Sequence, residues 1–209
     1  MAVKFTTREI SEKYDRFARW YDWVEGVPDL LGVRRLRRRL LCQASGKVLE
    51  IAVGTGKNLQ YYSRGFRIIG IDVSREMLNV ARKRAARLST DISFFLGDAG
   101  ALPFSDHSFD TVVSSLSVCT FPEPVIALQE IARVCRPDGR VLLLEHGRSD
   151  RQWLGRLQDR RADRHARQFG CHLNREPLEL AREAGLDVNK VRRVFFGVFY
   201  QIEARPIVT

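Results

Sequence analysis

The 209 residues carry 35 Lys and Arg against 25 Asp and Glu, a formal net charge of +10 that draws anionic surfaces. A chain of this length supports one domain that buries about 70% of its unfolded surface without cross-links. Cys42, Cys119, Cys135 and Cys171 form no C-x-x-C pair, so neither a disulfide framework nor a zinc cluster is indicated and no metal is expected. No apolar stretch approaches the ~18 residues of a membrane span and the first residues hold no signal-peptide core, so the expected location is cytoplasmic, with peripheral contact at the inner membrane face left open.

In chain order, residues 7–25 predict an amphipathic helix, because Ile10, Tyr14, Phe17, Tyr21 and Val24 fall on one stripe at three- and four-residue steps, with Trp20 and Trp23 beside it. Pro28 interrupts the pattern, and a second helix of about 12 residues follows. There Arg34, Arg35, Arg37, Arg38 and Arg39 surround Val33, Leu36 and Leu40, a basic amphipathic design suited to anionic lipid headgroups. Strands and helices then alternate: strand 47–53, helix 57–63, strand 66–71, helix 75–88, strands 92–96 and 109–115, helix 123–135 and strand 139–145. Such alternation implies a parallel sheet with helices on both faces. Ser74 is placed to cap the helix at 75–88, and Pro137-Asp138-Gly139 is a turn that stops the helix ending at Cys135. After Glu145 come an arginine-rich helical stretch, a short helix at 177–184 and strand-like runs at 187–196 and 198–205. The tight join around Gly197 suggests a hairpin at a sheet edge. The arginines of this stretch, Arg148 to Arg167, are diluted by Asp150, Asp159 and Asp163, as on an ordinary solvated face.

The most informative segment is Val48-Leu49-Glu50-Ile51-Ala52-Val53-Gly54-Thr55-Gly56, an apolar run that ends in two glycines one residue apart. It reads as a buried strand entering a tight turn where backbone meets ligand. A dinucleotide site wants a third glycine where Leu59 stands, and Glu50 in the strand end would repel a pyrophosphate. About twenty residues on, the strand Arg67-Ile68-Ile69-Gly70-Ile71 ends in Asp72, placed to accept hydrogen bonds from a ribose diol. A nucleoside that is not NAD is the expected ligand.

Glu-x-x-x-Gly-x-Gly, then Asp72, then Leu96-Gly97-Asp98-Ala99, then Ser108-Phe109-Asp110-Thr111-Val112-Val113 resembles the class I S-adenosylmethionine-dependent methyltransferases over roughly residues 14–204. The resemblance implies a Rossmann-like, doubly wound α/β fold whose seven-stranded, mostly parallel sheet has a reversed final strand and a C-terminal antiparallel hairpin. It implies a single domain over 1–209 with 1–41 as lid and membrane-contact helices. It implies S-adenosyl-L-methionine as cofactor, leaving as S-adenosyl-L-homocysteine. By the same resemblance Gly54 and Gly56 pass close to the methionine and adenosine moieties, Asp72 holds the ribose hydroxyls and Met77 packs on adenine. Asp98 with the backbone of Ala99 reads the adenine edge, Ser115 and Leu116 line the methionine, and Glu50, Ala52, Asn58 and Val73 complete the set. Charge agrees: a sulfonium with an ammonium prefers walls carrying Glu50, Asp72 and Asp98 to walls carrying arginines.

For the acceptor, His146 stands directly after the fifth strand at the open carboxyl end of the sheet, where a proton acceptor for an amine or thiol would sit. Tyr14 and Tyr21 on the first helix are the other candidates for catalysis. The strings Tyr14-Asp15-Arg16-Phe17-Ala18-Arg19-Trp20-Tyr21-Asp22 and Leu144-Glu145-His146-Gly147-Arg148-Ser149 look like bacterial phosphatidylethanolamine N-methyltransferases, the quinone-ring C-methyltransferases of ubiquinone and menaquinone synthesis, and membrane-associated alkyl-thiol methyltransferases. Ser117-Val118-Cys119-Thr120 and Gly170-Cys171-His172-Leu173-Asn174-Arg175 lean toward the first and third. Ala52 departs from the glycine that many relatives carry. The favoured acceptor is therefore the amine of phosphatidylethanolamine, with a quinone-ring carbon or a small thiol as alternatives and a nucleic-acid-associated or non-catalytic cofactor-binding protein as a different class. Nucleic acid is not an expected partner, because Ser114-Ser115-Leu116-Ser117 stands where a base-amine methylase carries Asn/Asp-Pro-Pro-Tyr, and there is no RNA-binding module.

Overall fold

The computed structural model describes residues 3–24, 26, 32–63, 65–88 and 91–207; Pro28 and the side chain of Val24 lie outside them. Helix α1 (Thr7–Val24) starts with a capping box: Glu9 Oε2 accepts from the Thr6 amide at 2.7 Å and the Thr6 hydroxyl at 2.9 Å, and the Glu9 amide donates to Thr6 Oγ1 at 3.3 Å. The helix buries Ile10 and Ala18 and leaves Trp20 and Trp23 exposed. Helix α2 (Arg34–Leu41) buries Leu36, Leu40 and Leu41. Its basic face is one arginine short of the sequence reading, because Arg37 points inward and is 5% exposed.

The seven strands are β1 (Lys47–Ile51), β2 (Arg67–Asp72), β3 (Ile92–Leu96), β4 (Phe109–Ser115), β5 (Cys135–His146), β6 (Leu186–Val194) and β7 (Phe199–Pro206), in the spatial order β3-β2-β1-β4-β5-β7-β6. The first five pair in parallel, and β7 runs antiparallel to both β5 and β6. The expected hairpin is present, but it is β6 that forms the edge, because β7 inserts between β5 and β6. Its turn takes Phe195, Phe196 and Gly197 through positive φ of 52°, 57° and 73°.

Side chains alternate across this sheet, so each face has its own core. Leu49, Ile51, Val112, Leu143 and Ile202 pack under α4 (Pro124–Val134) and α6 (Pro177–Glu183) through Leu128, Ile131 and Ala181. Val48, Ile68, Val113, Leu142 and Leu144 pack under α2 through Val33, Leu36, Leu40 and Leu41. Helix α3 (Arg75–Leu88) and helix α5 (Gln152–Phe169) complete the set of longer helices among the described residues.

Three sequence expectations shift. Strand β1 stops at Ile51 rather than at 53, because Ala52 turns into the left-handed region at φ 49°. The helix expected over 57–63 is a single 3-10 turn at Leu59–Tyr61. Asn58 Nδ2 and Tyr62 Oη both donate to the Glu50 carboxylate at 2.8 Å, and these two anchors hold the segment against β1 instead of letting it extend. The turn at Pro137-Asp138-Gly139 lies inside β5 as a bulge, since Phe109 pairs with Cys135 but Thr111 with Arg140.

Candidate active site

Strand order reverses between β1 and β4, whose outward connections lead to opposite halves of the sheet, and ligands of open α/β sheets bind at the carboxyl ends beside that point. The cavity found there is lined by Ala52, Gly54, Asp72, Val73, Met77, Asp98, Ala99, Ser115 and Leu116, together with Thr7, Ile10, Tyr14 and Tyr21 of α1. A smaller cavity adjoins it through Ala52, Gly54 and Ser115 and adds Glu50, Asn58, Arg37 and Lys57. Eleven of the twelve predicted cofactor contacts thus gather in one place. The exception is Gly56, which lines neither cavity: a Cβ there would stand 2.8 Å from Leu59 Cδ1, so its glycine requirement comes from packing within the turn. At Gly54, with φ 56°, a Cβ would meet nothing of the protein closer than Ala52 O at 3.9 Å and would instead take up ligand space.

The acids are held for a cation. Asp72 accepts from the Gly54 amide and the Ser74 amide, each at 2.8 Å, and burial pushes its carboxyl from 3.8 to about 6 against the pull of those two bonds. Burial likewise lifts Glu50 from 4.5 to about 7, opposed by the Tyr62 and Asn58 bonds and by the Arg37 charge. Carboxylates that pay such a desolvation penalty gain most from a positively charged ligand. Arg37 Nη1 donates to Asn58 Oδ1 and Ser115 Oγ at 2.9 Å each, so the small cavity offers a carboxylate and a guanidinium to a zwitterionic end group. The residues present therefore fit a sulfonium nucleoside with an amino-acid tail.

Helix α1 is the roof, and its polar contacts with the strand ends are absent from any sequence motif. Thr7 Oγ1 donates to Asp98 Oδ2 at 2.6 Å, and Ser11 Oγ donates to the Val73 carbonyl at 2.8 Å. Asp15 Oδ1 accepts from Ser74 Oγ at 2.5 Å and from the Glu76 amide at 3.1 Å, while Ser74 Oγ caps Met77 N at 3.1 Å, as expected of Ser74. Asp22 accepts from Thr55 Oγ1 at 2.6 Å and pairs with Arg84.

On the other side of Leu116, which sits at φ 57°, a second cavity of about 370 Å³ is walled by Tyr14, Phe17, Tyr21, Phe169, Leu173 and Phe199, with His146, Cys119 and Cys171 on its surface. Tyr14, Tyr21 and Leu116 belong to both cavities, so the two tyrosine candidates stand between the cofactor space and this apolar one, whereas His146 lines the apolar cavity and not the cofactor cavity. Glu145, fully buried, fixes the dividing loop: it accepts from Ser114 Oγ at 2.7 Å and from the amides of Ser117 and Val118 at 2.9 and 3.1 Å. Glu145 has no role in the sequence reading, although an acid inside an apolar strand end, as at Glu50, is a signal that could have found it. Nothing in the spacing of residues 119, 146 and 171 signalled that they would meet.

A methyltransferase domain model matches residues 49–143. Phosphatidylethanolamine N-methyltransferase of Cereibacter sphaeroides is 36% identical over 71% of this chain and 73% of its own length. The chain belongs to the S-adenosylmethionine-dependent methyltransferases. Demethylmenaquinone methyltransferase of Renibacterium salmoninarum is 37% identical over 66% of this methyltransferase and 58% of that one. The mitochondrial methyltransferase OMS1 of Saccharomyces cerevisiae is 28% identical over 98% of the chain, which spans about half (47%) of OMS1. The fold is shared with an S-adenosylmethionine-dependent methyltransferase of Thermotoga maritima at a TM-score of 0.72 and 22% identity, covering 95% of this methyltransferase and 100% of that chain. The enzyme thus uses S-adenosylmethionine, and its relatives divide over the acceptor.

Proposed function

We propose that this methyltransferase methylates an amphipathic acceptor drawn from a lipid surface, with the amine of phosphatidylethanolamine as the favoured group. The observation that carries the reading is the apolar cavity beside the cofactor space, large enough for part of an acyl-bearing molecule and edged by His146, Tyr14 and Tyr21. When bound, S-adenosylmethionine supplies a methyl carbon already activated by a sulfonium, which leaves the protein to orient the acceptor, exclude water and take a proton. An ammonium has no lone pair to offer, so the acceptor nitrogen would have to lose a proton before it could take the methyl group. The proton leaves the ammonium for the His146 imidazole, and the tyrosine faces flank the cationic product. Among the cofactor contacts, Asp72 would hold the ribose, Met77 and Ala99 the adenine side, and Glu50 with Arg37 the amino-acid end.

Surface chemistry supports delivery from a membrane. Phe196 is 68% exposed at the β6–β7 turn and Trp153 is 64% exposed at the start of α5. The turn meets the segment that leads into α5, since Ser149 donates to the Phe196 carbonyl. Gly32, at the start of the basic helix, lies against Phe195 of the same turn, which brings arginines and exposed aromatics to one end of the molecule. No helix among the described residues is long and apolar enough to cross a membrane.

The test is incubation with methyl-labelled cofactor and total membrane extract, followed by separation of phospholipids, quinones and thiols. Label in the phospholipid headgroup with turnover lowered ~10²-fold in His146→Ala at unchanged cofactor affinity is the expected result. Label confined to a quinone ring or a thiol would overturn the amine assignment.

A further inference from the structure

The acceptor cavity gathers two thiols, which methyl transfer to an amine does not require, around the imidazole of His146. Cys119 lies in the loop after β4, His146 at the end of β5 and Cys171 just past α5, yet their two sulfurs and ring nitrogen all lie within 4.8 Å of one another. Cys171 Sγ is 3.2 Å from His146 Nε2. In a tetrahedral zinc site with Zn–S of about 2.3 Å and Zn–N of about 2.0 Å, ligand atoms stand roughly 3.5–3.8 Å apart, so the set closes around an ion if its widest separation contracts by at most about 1 Å and the Cys171–His146 pair opens by about 0.3 Å.

The frame that carries the three atoms is already fixed. Glu145 holds the amides of Ser117 and Val118, the residues leading into Cys119. The His172 amide donates to the Cys119 carbonyl at 3.0 Å, which ties the Cys171 segment to that loop. Arg175 donates to the carbonyls of Val118 and Phe121 and secures the loop from its far side. Among the described residues no carboxylate lines the cavity, so the donor set is two thiols and an imidazole, suited to a soft or borderline ion and unsuited to calcium or magnesium.

We propose that Cys119, His146 and Cys171 bind one zinc-class transition-metal ion in a three-ligand site whose fourth position opens into the acceptor cavity. Metal and ammonium proton then compete for His146 Nε2, so the loaded form does not methylate an amine. The binding itself stands independently of the acceptor; the inhibition rests on the cavity being the acceptor site, as proposed above.

The test uses the full chain, reduced with a phosphine and freed of metal, titrated with Co²⁺ and then Zn²⁺. One equivalent of Co²⁺ should bind with sulfur-to-cobalt charge-transfer absorption and tetrahedral visible bands, and Zn²⁺ should displace it. Cys171→Ser should weaken binding at least tenfold, while Cys42→Ser, which changes an exposed cysteine outside the cluster, should leave it unchanged. A measurement without substitutions runs beside it: one equivalent of Zn²⁺ should protect Cys171 from alkylation and leave Cys42 reactive. Absence of the charge-transfer band, binding that survives Cys171→Ser but is lost in Cys42→Ser, or equal alkylation of Cys171 with and without zinc overturns the site. If lipid is labelled and zinc does not stop it, the inhibition is overturned; if no lipid is labelled under any condition while Co²⁺ binds as stated, the acceptor reading fails and the metal site stands.

Discussion

Replacing Glu50 with Gln should make the empty enzyme more stable at pH 8 and the cofactor weaker. The carboxyl is 2% exposed, and burial raises it from 4.5 to about 7. At about 1.36 kcal/mol per tenfold change in proton affinity, holding it ionised in the folded protein costs on the order of 3 kcal/mol. Between pH 4.5 and about 7 the folded state keeps a proton that the unfolded state has lost, so stability falls as pH rises through that window and the full cost is present above it. Gln keeps the shape and removes the charge, and the Tyr62 hydroxyl at 2.8 Å can turn to accept from the new amide. We expect a gain of about 1–2 kcal/mol at pH 8, about 3–6 °C in Tm for a domain of this size, and only a small part of it at pH 5. Cofactor affinity should fall by about 10- to 100-fold at pH 8, because a charge-assisted bond of about 1.5–3 kcal/mol is lost. In the parent, binding a cation lowers both the Glu50 and Asp72 pKa values, so protons should be released on binding between about pH 6 and 7. Thermal melts at the two pH values, with and without cofactor, and calorimetry in buffers of different ionisation enthalpy measure all three effects. Equal destabilisation of Glu50→Gln at pH 5 and pH 8, with cofactor affinity intact, would refute the reasoning.

Gly54→Val should abolish cofactor binding by calorimetry, since its Cβ projects into ligand space and its φ of 56° disfavours any branched residue; retained affinity would place the cofactor elsewhere. Ala52→Gly should raise Tm by about 1–3 °C, because a left-handed alanine costs about 1–2 kcal/mol and the added freedom of unfolded glycine returns only part of it. Thr7→Val removes the hydroxyl that donates to Asp98 at 2.6 Å and should speed amide exchange over residues 7–11 by loosening the roof; exchange identical to the parent would show that this clasp does not hold α1. Changing Arg35, Arg38 and Arg39 together to Gln should weaken binding to anionic vesicles by roughly 1 kcal/mol per charge and leave neutral vesicles unaffected, whereas equal sedimentation of parent and variant on phosphatidylglycerol vesicles would make α2 an ordinary solvated face.

Much of the cofactor side is legible in the chain because its signals are local. The apolar run into Gly54, the acid at the end of β2 and the alternation of strands and helices each depend on neighbours a few residues away, and so do the stripe of α1 and the hairpin around Gly197. Period-two burial, left-handed backbone and capping are set by the chain within a turn or two, so a sequence determines them directly. What only the tertiary structure decided is where polar side chains go once that framework closes. Arg37 belongs to a helix whose other arginines face out, yet Asn58 and Ser115 draw it into the core. Asn58 and Tyr62 fold back onto Glu50 and reduce an expected helix to one turn. Thr7 finds Asp98 across 91 residues, and Cys119, His146 and Cys171 converge from three separate elements. A buried polar atom must find a partner at whatever sequence distance the fold brings close, and that distance has no period to read.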